Sequence, residues 1–381
     1  MTLLHALGLV FLAMTAAGLA YTAAAAVLVR RLGRAPPPAP PEAPALTLLK
    51  PLHGAEPGLL EALSSFLAQD YPGPVQLVLG VQDPADPAVG VVEALRARHP
   101  GADIALVADG RLHGANRKVS NLVNMLPSAR HGLLVLSDAD ITVPPDYLAR
   151  ITAALAAPGV GAVTCYYRGE GRGGLWSRLG AMGVSYGFLP TVVLGVALGM
   201  ARPCMGSTIA LRSEVLERIG GLGRFADELV DDYEIGRAVR DLGLQVALPE
   251  FLVAHGSSEA GAAELFAHEL RWAATVRAVD PAGHAGSVVT HPLALALIAL
   301  PLLGGAGYGW AALACALAAR WWLKAEVDRA AGAPSGPWVL TPIRDLMSFA
   351  VFVASLFVRT VYWRGVRFGV SSARKSHQPG S

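Results

Sequence analysis

Charged side chains are what this chain has least of. Only 16% of its 381 residues are Asp, Glu, Lys or Arg, while 53% are hydrophobic; an ordinary soluble domain carries about 25% charged residues. The shortage falls mainly at the two ends, which points to a water-soluble middle between membrane-embedded flanks. A formal net charge of only +2 excludes the basic footprint of a nucleic-acid binder. Cysteine is scarce as well. Cys165, Cys204 and Cys315 form an odd set without metal-ligand spacing. Neither a disulfide framework nor a zinc cluster is expected, and a reducing compartment fits. No internal repeat is visible.

What is present divides the chain into five stretches. Residues 3–29 are one apolar run without Asp, Glu, Lys or Arg, longer than the roughly 20 residues that cross a bilayer core. No cation precedes it, as a cleaved signal peptide would require. Arg30, Arg31 and Arg34 come directly after it, so the positive-inside rule puts the N-terminus outside and the chain beyond Arg30 in the cytoplasm. Residues 1–30 therefore read as a signal anchor, and 31–45, with APPPAPPEAP, as a stiff spacer.

Residues 46–285 alternate strands and helices: strands at 46–49, 75–81, 104–107 and 133–136, helices at 58–69, 91–98 and 116–125. That rhythm predicts an α/β domain with a doubly wound, largely parallel sheet. Further on come a helix at 145–156, strands at 161–167 and 204–211, and helices at 214–220 and 229–242. A strand at 246–248 and an amphipathic helix at 262–279 complete the stretch. The long apolar segment 179–200 is broken by Pro190 and Gly195. A single crossing there would put later acidic groups on the wrong side from Asp140, so it is expected to lie on the membrane or fold into an acceptor pocket.

Residues 286–365 are the C-terminal membrane-embedded part. Runs 288–303 and 308–323 are each just long enough to cross, with Gly304-Gly305 as a hairpin. Run 346–358 is shorter and is expected to be re-entrant or interfacial, because the basic tail 366–381 (Arg367, Arg374, Lys375) belongs in the cytoplasm. The apolar runs show no buried charge pair, which disfavours a transporter.

Four constellations carry chemistry, each with a bland counterpart. The apolar strand Leu133–Leu136 ends in Ser137-Asp138-Ala139-Asp140 and then Pro144-Pro145. On an extended chain Asp138 and Asp140 would project together from the strand's carboxyl end, where ligands of open α/β sheets sit. A hard divalent cation bridging to phosphates would relieve their repulsion; an acidic turn would look the same. Asp83 comes after the early strand 75–81, where a carboxylate can accept hydrogen bonds from a uracil or ribose, but Asp83-Pro84 also favours a plain turn. Asn116 can cap a helix whose amides face a phosphate, with Lys118 adding charge in the first turn; a solvated helix start is the alternative. Asp231-Asp232-Tyr233-Glu234 opens a helix, where a carboxylate is stabilised by the dipole, and an acidic cap is the bland reading. Gly206 lets a sugar approach the backbone or makes a tight turn. His268-Glu269-Leu270-Arg271-Trp272 lies on the amphipathic helix and would also suit membrane-surface anchoring.

As an ordered set these residues resemble membrane-bound, inverting glycosyltransferases of the GT-A fold, close to the ceramide glucosyltransferases, over roughly residues 46–292. CMGSTIALRSEVLERIGGL, LVDDYEIG and HELRWAATVRAVDPAGHAGSVVTHPL are similar to the hopanoid-biosynthesis-associated glycosyltransferases of bacteria. The resemblance implies that Asp83 contacts the nucleotide, and that Asp138 and Asp140 form the acidic motif for metal and nucleotide-sugar, with Asp140 the direct ligand of Mg²⁺ or Mn²⁺. It makes Asp232 the catalytic base and puts Arg271 and Trp272 against the diphosphate and acceptor. His268 stands where that motif begins with Gln or Arg, a departure that weakens the analogy to processive polysaccharide synthases.

The implied reaction moves N-acetylglucosamine from UDP-GlcNAc to the hydroxylated side chain of a bacteriohopanoid such as bacteriohopanetetrol. The setting would be a bacterial inner membrane, in a multi-pass protein with its catalytic domain facing the cytoplasm. A ceramide glucosyltransferase using UDP-glucose is the enzymatic alternative, and a non-catalytic, membrane-anchored nucleotide-sugar sensor is the alternative of another class. Asn116, Lys118, Asp138, Gly206 and His268 complete the expected nucleotide-sugar site.

Overall fold

The computed structural model describes residues 2–33, 43–358, 360–363 and 366–369. The proline-rich stretch 35–42 and the basic tail beyond 369 lie outside the described residues. In chain order the elements begin with α1 (Leu3–Val29), β1 (Leu46–Pro51), α2 (Leu59–Leu67), β2 (Val75–Val81), α3 (Ala88–Arg98), β3 (Asp103–Ala108) and α4 (Arg117–Met125). There follow β4 (Leu133–Leu136), β5 (Ile141–Thr142), α5 (Tyr147–Leu155), β6 (Val160–Val163), β7 (Tyr166–Gly171), α6 (Leu175–Gly183) and α7 (Leu189–Ala197). Next come β8 (Ile209–Arg212), α8 (Ser213–Arg218), α9 (Asp231–Asp241), β9 (Gln245–Ala247), β10 (Leu252–Ser257) and α10 (Ala262–Val279). The last helices are α11 (Pro281–Gly286), α12 (Pro292–Leu302), α13 (Gly307–Ala331) and α14 (Thr341–Ser355). The chain forms two units: one of residues 35–167 and 202–258, the other of residues 1–34, 168–201 and 259–381.

The first unit is built on a seven-stranded sheet of order β3-β2-β1-β4-β8-β6-β9. All its strands are parallel except β8, which runs against both β4 and β6. The order reverses between β1 and β4, the switch point where such sheets bind ligands. Strands β1 and β2 are almost wholly buried and nearly continuous in apolar residues, as strands covered on both faces must be. Val119, Leu122 and Met125 of α4 join Ile235 and Val239 of α9 in packing on Leu134, Leu136 and Leu211 of the sheet.

Two sequence expectations change here. The strand expected at 204–211 begins only at Ile209, because Met205–Thr208 closes a tight turn of its own. The strand at 161–167 breaks at Thr164-Cys165, giving β6 and β7. Strand β10, which no sequence pattern announced, pairs antiparallel with the two-residue β5.

The second unit gathers the apolar helices. α1, the paired α6–α7 segment Leu175–Ala197 and the stretch Trp338–Ser355 are each long and apolar enough to cross a membrane. A five-residue π-turn, Val184–Phe188, joins α6 to α7 without a break, and Tyr21 Oη donates to Thr191 Oγ1 at 2.9 Å. The hairpin expected at Gly304-Gly305 is present, with both glycines left-handed at φ 64° and 72°.

Its arms differ from expectation. Pro292 resets the helix, so α12 has only 11 residues and is bent by 67° from the preceding Pro281–Thr290 segment. At 1.5 Å per residue that is about 16 Å, half a bilayer core. Its start packs on Gly18 of α1 and its end on Gly8. The second arm, α13, runs beyond Leu323 to Ala331 and carries buried charge after all. Arg320 makes two 2.7 Å bonds to Asp345, and the fully buried Lys324 reaches Asp328 at 2.6 Å and Tyr186 Oη at 2.9 Å. The partners lie on other helices or a turn away, out of reach of any reading of single apolar runs.

The contact between β2 and α4 is a direct test of this packing. A Cβ on Gly80 would stand 2.3 Å from both Asn121 Oδ1 and Met125 Sδ, whereas one on Gly90 in α3 would meet nothing within 4 Å. Gly80→Ala is expected to destabilise the protein by about 1–3 kcal/mol and Gly90→Ala to stabilise it by about 0.5–1 kcal/mol, read as opposite shifts in Tm of the detergent-solubilised protein.

Candidate active site

The carboxyl ends of β1, β2 and β4 and the starts of α4, α9 and β8 bring most of the expected residues of the first unit to one edge of its sheet. The centre is Lys118 in the first turn of α4. Its Nζ lies 2.8 Å from Asp138 Oδ1 and 3.4 Å from Asp231 Oδ2. Burial alone would make this ammonium easier to deprotonate, but Asp138, Asp231 and Asp232 outweigh that and hold its pKa far above the lysine range.

Gly206 ties two of these carboxylates together through its backbone. Its N–H donates to Asp232 Oδ2 at 2.9 Å, and its C=O accepts from the Asp138 N–H at 3.0 Å. A Cβ here would lie 2.5 Å from Asp138 Oδ2 and 2.9 Å from Lys118 Nζ, so a side chain at this position would push the Asp138–Lys118 pair aside. Asp232 Oδ1 also accepts the Tyr233 N–H at 2.8 Å. Burial, with Asp231 next to it, pushes the Asp232 carboxyl up to about 6 against the pull of Lys118 and the Tyr233 N–H.

Asn116 caps α4 as expected, its Oδ1 accepting the Val119 N–H. It is fully buried, and its side-chain amide is committed to the Glu228 carbonyl and to Asp231 Oδ1. Through the second of these bonds Asn116 holds Asp231 beside Lys118. Asp83 stands exposed after β2, one oxygen accepting the Ala85 N–H in a short turn. Asp86, rather than Asp83, holds the chain after β1, through the Gly54 N–H.

Asp138 and Asp140 do not continue the strand. The chain turns after Ser137, with the Ile141 N–H closing on the Asp138 carbonyl, because Lys50 pulls that carbonyl inward. Lys50, at the end of β1, is fully buried and donates to the Asp138 C=O at 2.7 Å and to Ser137 Oγ at 3.1 Å. The turn sends Asp138 to Lys118, and Asp140 to His255 of β10, whose Nε2 is 3.3 Å from Asp140 Oδ2. The His255 ring stacks on Tyr167, with centroids 5.5 Å apart.

Sequence reasoning missed Lys50 and His255. A lysine inside the apolar strand LTLLKP was the available signal for the first. No local pattern marks the second, which is brought in by β10.

Among the described residues no three His, Cys, Asp or Glu side chains converge as a ready-made metal site. Asp140 Oδ1 is nonetheless buried without a hydrogen-bond partner among the described residues. One such oxygen beside an imidazole is a donor set suited to Mg²⁺ or Mn²⁺, the nitrogen favouring Mn²⁺, when ligand phosphates supply the remaining oxygens.

His268, Arg271 and Trp272 lie on α10, in the second unit. His268 Nδ1 is 2.7 Å from Glu259 Oε1, and its ring meets Trp272 edge-on at 4.7 Å. The imidazole at the departing position of the motif is thus anchored at one side and braces Trp272 at the other.

The raised carboxylate yields a pH test. A folded-state value near 6, above the unfolded 3.8, means that the native state holds this proton more tightly. The associated stability is complete below about pH 4 and is lost as pH rises through 6. Ionised Asp232 then costs on the order of 3 kcal/mol. Asp232→Asn is expected to raise Tm at pH 8 and to leave it nearly unchanged at pH 4, measured by thermal melts across that range.

Comparison with known proteins places the chain in a family and a fold. A family model described as Glycosyl transferase family 21 matches residues 10–376. Ceramide glucosyltransferase 1 of Caenorhabditis elegans is 23% identical over 350 residues, which cover 87% of this chain and 72% of the relative. The ceramide glucosyltransferase of Komagataella phaffii is 32% identical over 123 residues, 31% of this chain and 24% of that one. Among solved structures, the mannosyltransferase PcManGT from Pyrobaculum calidifontis, in complex with GDP-Man and Mn²⁺, is 24% identical with a TM-score of 0.54, covering 93% of this chain and 99% of its own. That likeness bears out the GT-A fold that the resemblance implied and the α/β sheet read from the strand–helix alternation. With the family match spanning nearly its whole length, the chain belongs to glycosyl transferase family 21.

Proposed function

We propose that this glycosyltransferase moves a sugar from a UDP-sugar to a hydroxyl of a membrane lipid, with inversion at the anomeric carbon. The observation that carries the reading is Asp232: a carboxylate at a helix start, with a pKa raised to about 6 and held in place by the Gly206 N–H. A base of that strength is ionised at neutral pH yet able to take a hydroxyl proton. Inverting transfer needs such a base and no protein nucleophile.

The other residues divide the remaining work. Asp83 receives the nucleoside at the end of β2. Lys118, fixed between Asp138 and Asp231, offers its charge to the leaving diphosphate, and Arg271 and Trp272 serve the diphosphate and the acceptor. Asp140 and His255 would hold the divalent cation, which when bound neutralises charge on the diphosphate.

Two acceptors are in play. The motifs LVDDYEIG and HELRWAATVRAVDPAGHAGSVVTHPL support N-acetylglucosamine transfer to a bacteriohopanoid in a bacterial inner membrane, with the catalytic unit in the cytoplasm. The curated relatives, named as ceramide glucosyltransferases, support glucose transfer to ceramide. Both acceptors present a hydroxyl on an apolar body, as expected for a chain whose ends are apolar helices.

Lipid extracts of cells supplied with both acceptors and expressing wild type or Asp232→Asn decide between them by mass spectrometry. A hexosamine-bearing hopanoid in wild type alone is the expected result. A hexosylceramide would keep the mechanism and move the acceptor, and no new glycolipid would favour a nucleotide-sugar sensor. Asp232→Asn is expected to lower kcat by about 10²–10⁴. His255→Ala is expected to raise the Mn²⁺ concentration for half-maximal activity at least about tenfold, read in a UDP-release assay.

A further inference from the structure

A cleft of about 500 Å³ lies in the second unit, lined by Arg168, Glu170, Arg178 and the turn 333–338. We propose that this cleft binds the phosphate headgroup of an anionic membrane phospholipid, separately from donor and acceptor.

The walls supply the chemistry. Arg168 is held by Glu170, Nη2 to Oε1 at 3.1 Å. The Arg178 guanidinium makes no ion pair or hydrogen bond among the described residues, and the residue's backbone and stem pack over Gly171 and Gly336 so closely that a Cβ on either glycine would come within 3.0–3.4 Å of it. Arginine lying along a cleft beside a second arginine is the arrangement that recognises phosphate oxygens.

The cleft is built rather than incidental. Ser335 Oγ donates to the Gly169 carbonyl at 2.7 Å and meets Ser185 Oγ at 2.6 Å, while its N–H donates to Tyr186 Oη at 3.0 Å. Tyr186 is in turn held by the buried Lys324 and by Asp328. The π-turn that carries Ser185 and Tyr186 therefore serves to bolt the 333–338 turn in place, so the phosphate site needs no ordering on binding.

Its level identifies the ligand as a lipid. The turn comes directly after α13, whose Glu326 is 2.7 Å from Arg30 at the basic end of α1, and a Cβ on Gly33 would lie 3.1 Å from the Ala330 carbonyl. Both apolar segments Leu175–Ala197 and Trp338–Ser355 start at the cleft. Trp338 forms its rim, 48% exposed and stacked by Lys324 at 4.8 Å, as tryptophans do at the headgroup level. Cationic pockets between apolar helices at that level take acidic headgroups.

The test uses the full chain without donor or acceptor, so its outcome is independent of the transfer reaction. Protein is reconstituted in nanodiscs of equal phosphatidylcholine and phosphatidylglycerol, extracted into detergent, and its retained lipids counted by native mass spectrometry. Wild type is expected to retain phosphatidylglycerol preferentially. Arg178→Gln is expected to lose about tenfold of that preference, Arg178→Lys to keep most of it, and Arg218→Gln, an exposed arginine elsewhere, to keep all of it. Equal retention of the two lipids, or equal losses in Arg178→Gln and Arg218→Gln, would overturn the site. Binding of inorganic phosphate to delipidated protein as strong as that of phosphatidylglycerol would assign the cleft to a soluble anion and overturn the lipid reading. Unchanged melting curves establish that each variant is folded.

Discussion

One ammonium group organises the carboxyl edge of the sheet, where the candidate site lies. Lys118 sits where three carboxylates, from the β4 turn and from the start of α9, would otherwise repel one another. Like charges held together are costly unless a cation joins them, and Lys118 is that cation. With it, Asp138 and Asp231 are paired, while Asp232 bonds to the Gly206 and Tyr233 N–H groups instead and, through burial and its neighbour Asp231, keeps a raised affinity for a proton. A single cation thus gives three chemically identical groups different surroundings: two meet it directly and the third is held by backbone N–H groups.

The backbone around this cation is shaped to the same end. Gly206 has no side chain because Asp138 and Lys118 occupy the space one would need, and its peptide groups bond to Asp138 on one side and Asp232 on the other. Asn116 spends a whole amide on keeping Asp231 in place. Lys50 bends the chain after β4 from beneath. These are buried polar groups with satisfied partners, the condition under which burial rigidifies a site rather than weakening it.

The second unit solves the opposite problem, placing charge among apolar helices. Arg320 with Asp345, and Lys324 with Tyr186 and Asp328, are each buried with partners. Removing one member of such a pair costs far more than the pair contributes, so these contacts act as fixed joints between α13, α14 and the π-turn. The short α12, ending in a glycine hairpin, lets α13 return along α1 and bring its charged end to Arg30. The polar candidate site and the apolar helices thereby occupy separate units of one chain.

Much of this was legible in the residues themselves. The period-2 and period-3.6 patterns placed β1 to β4 and α2 to α4 within a few residues, and the apolar run Leu3–Val29 and the Gly304-Gly305 hairpin were read directly. Asp83, Lys118, Asp138, Asp140 and Asp232 stood out because a strand end or a helix start marks them, and the HELRW stretch because of its family resemblance. What the tertiary structure alone decided is which of them meet. His255 reaches Asp140 because β10 pairs with β5, Asp138 turns to Lys118 because Lys50 takes its carbonyl, and Arg320 finds Asp345 across two helices. Local sequence sets the conformation of each segment through sterics and periodicity. The pairing of charges distant along the chain depends on sheet order and helix packing, where one buried ion without its partner costs more than any local preference can offset.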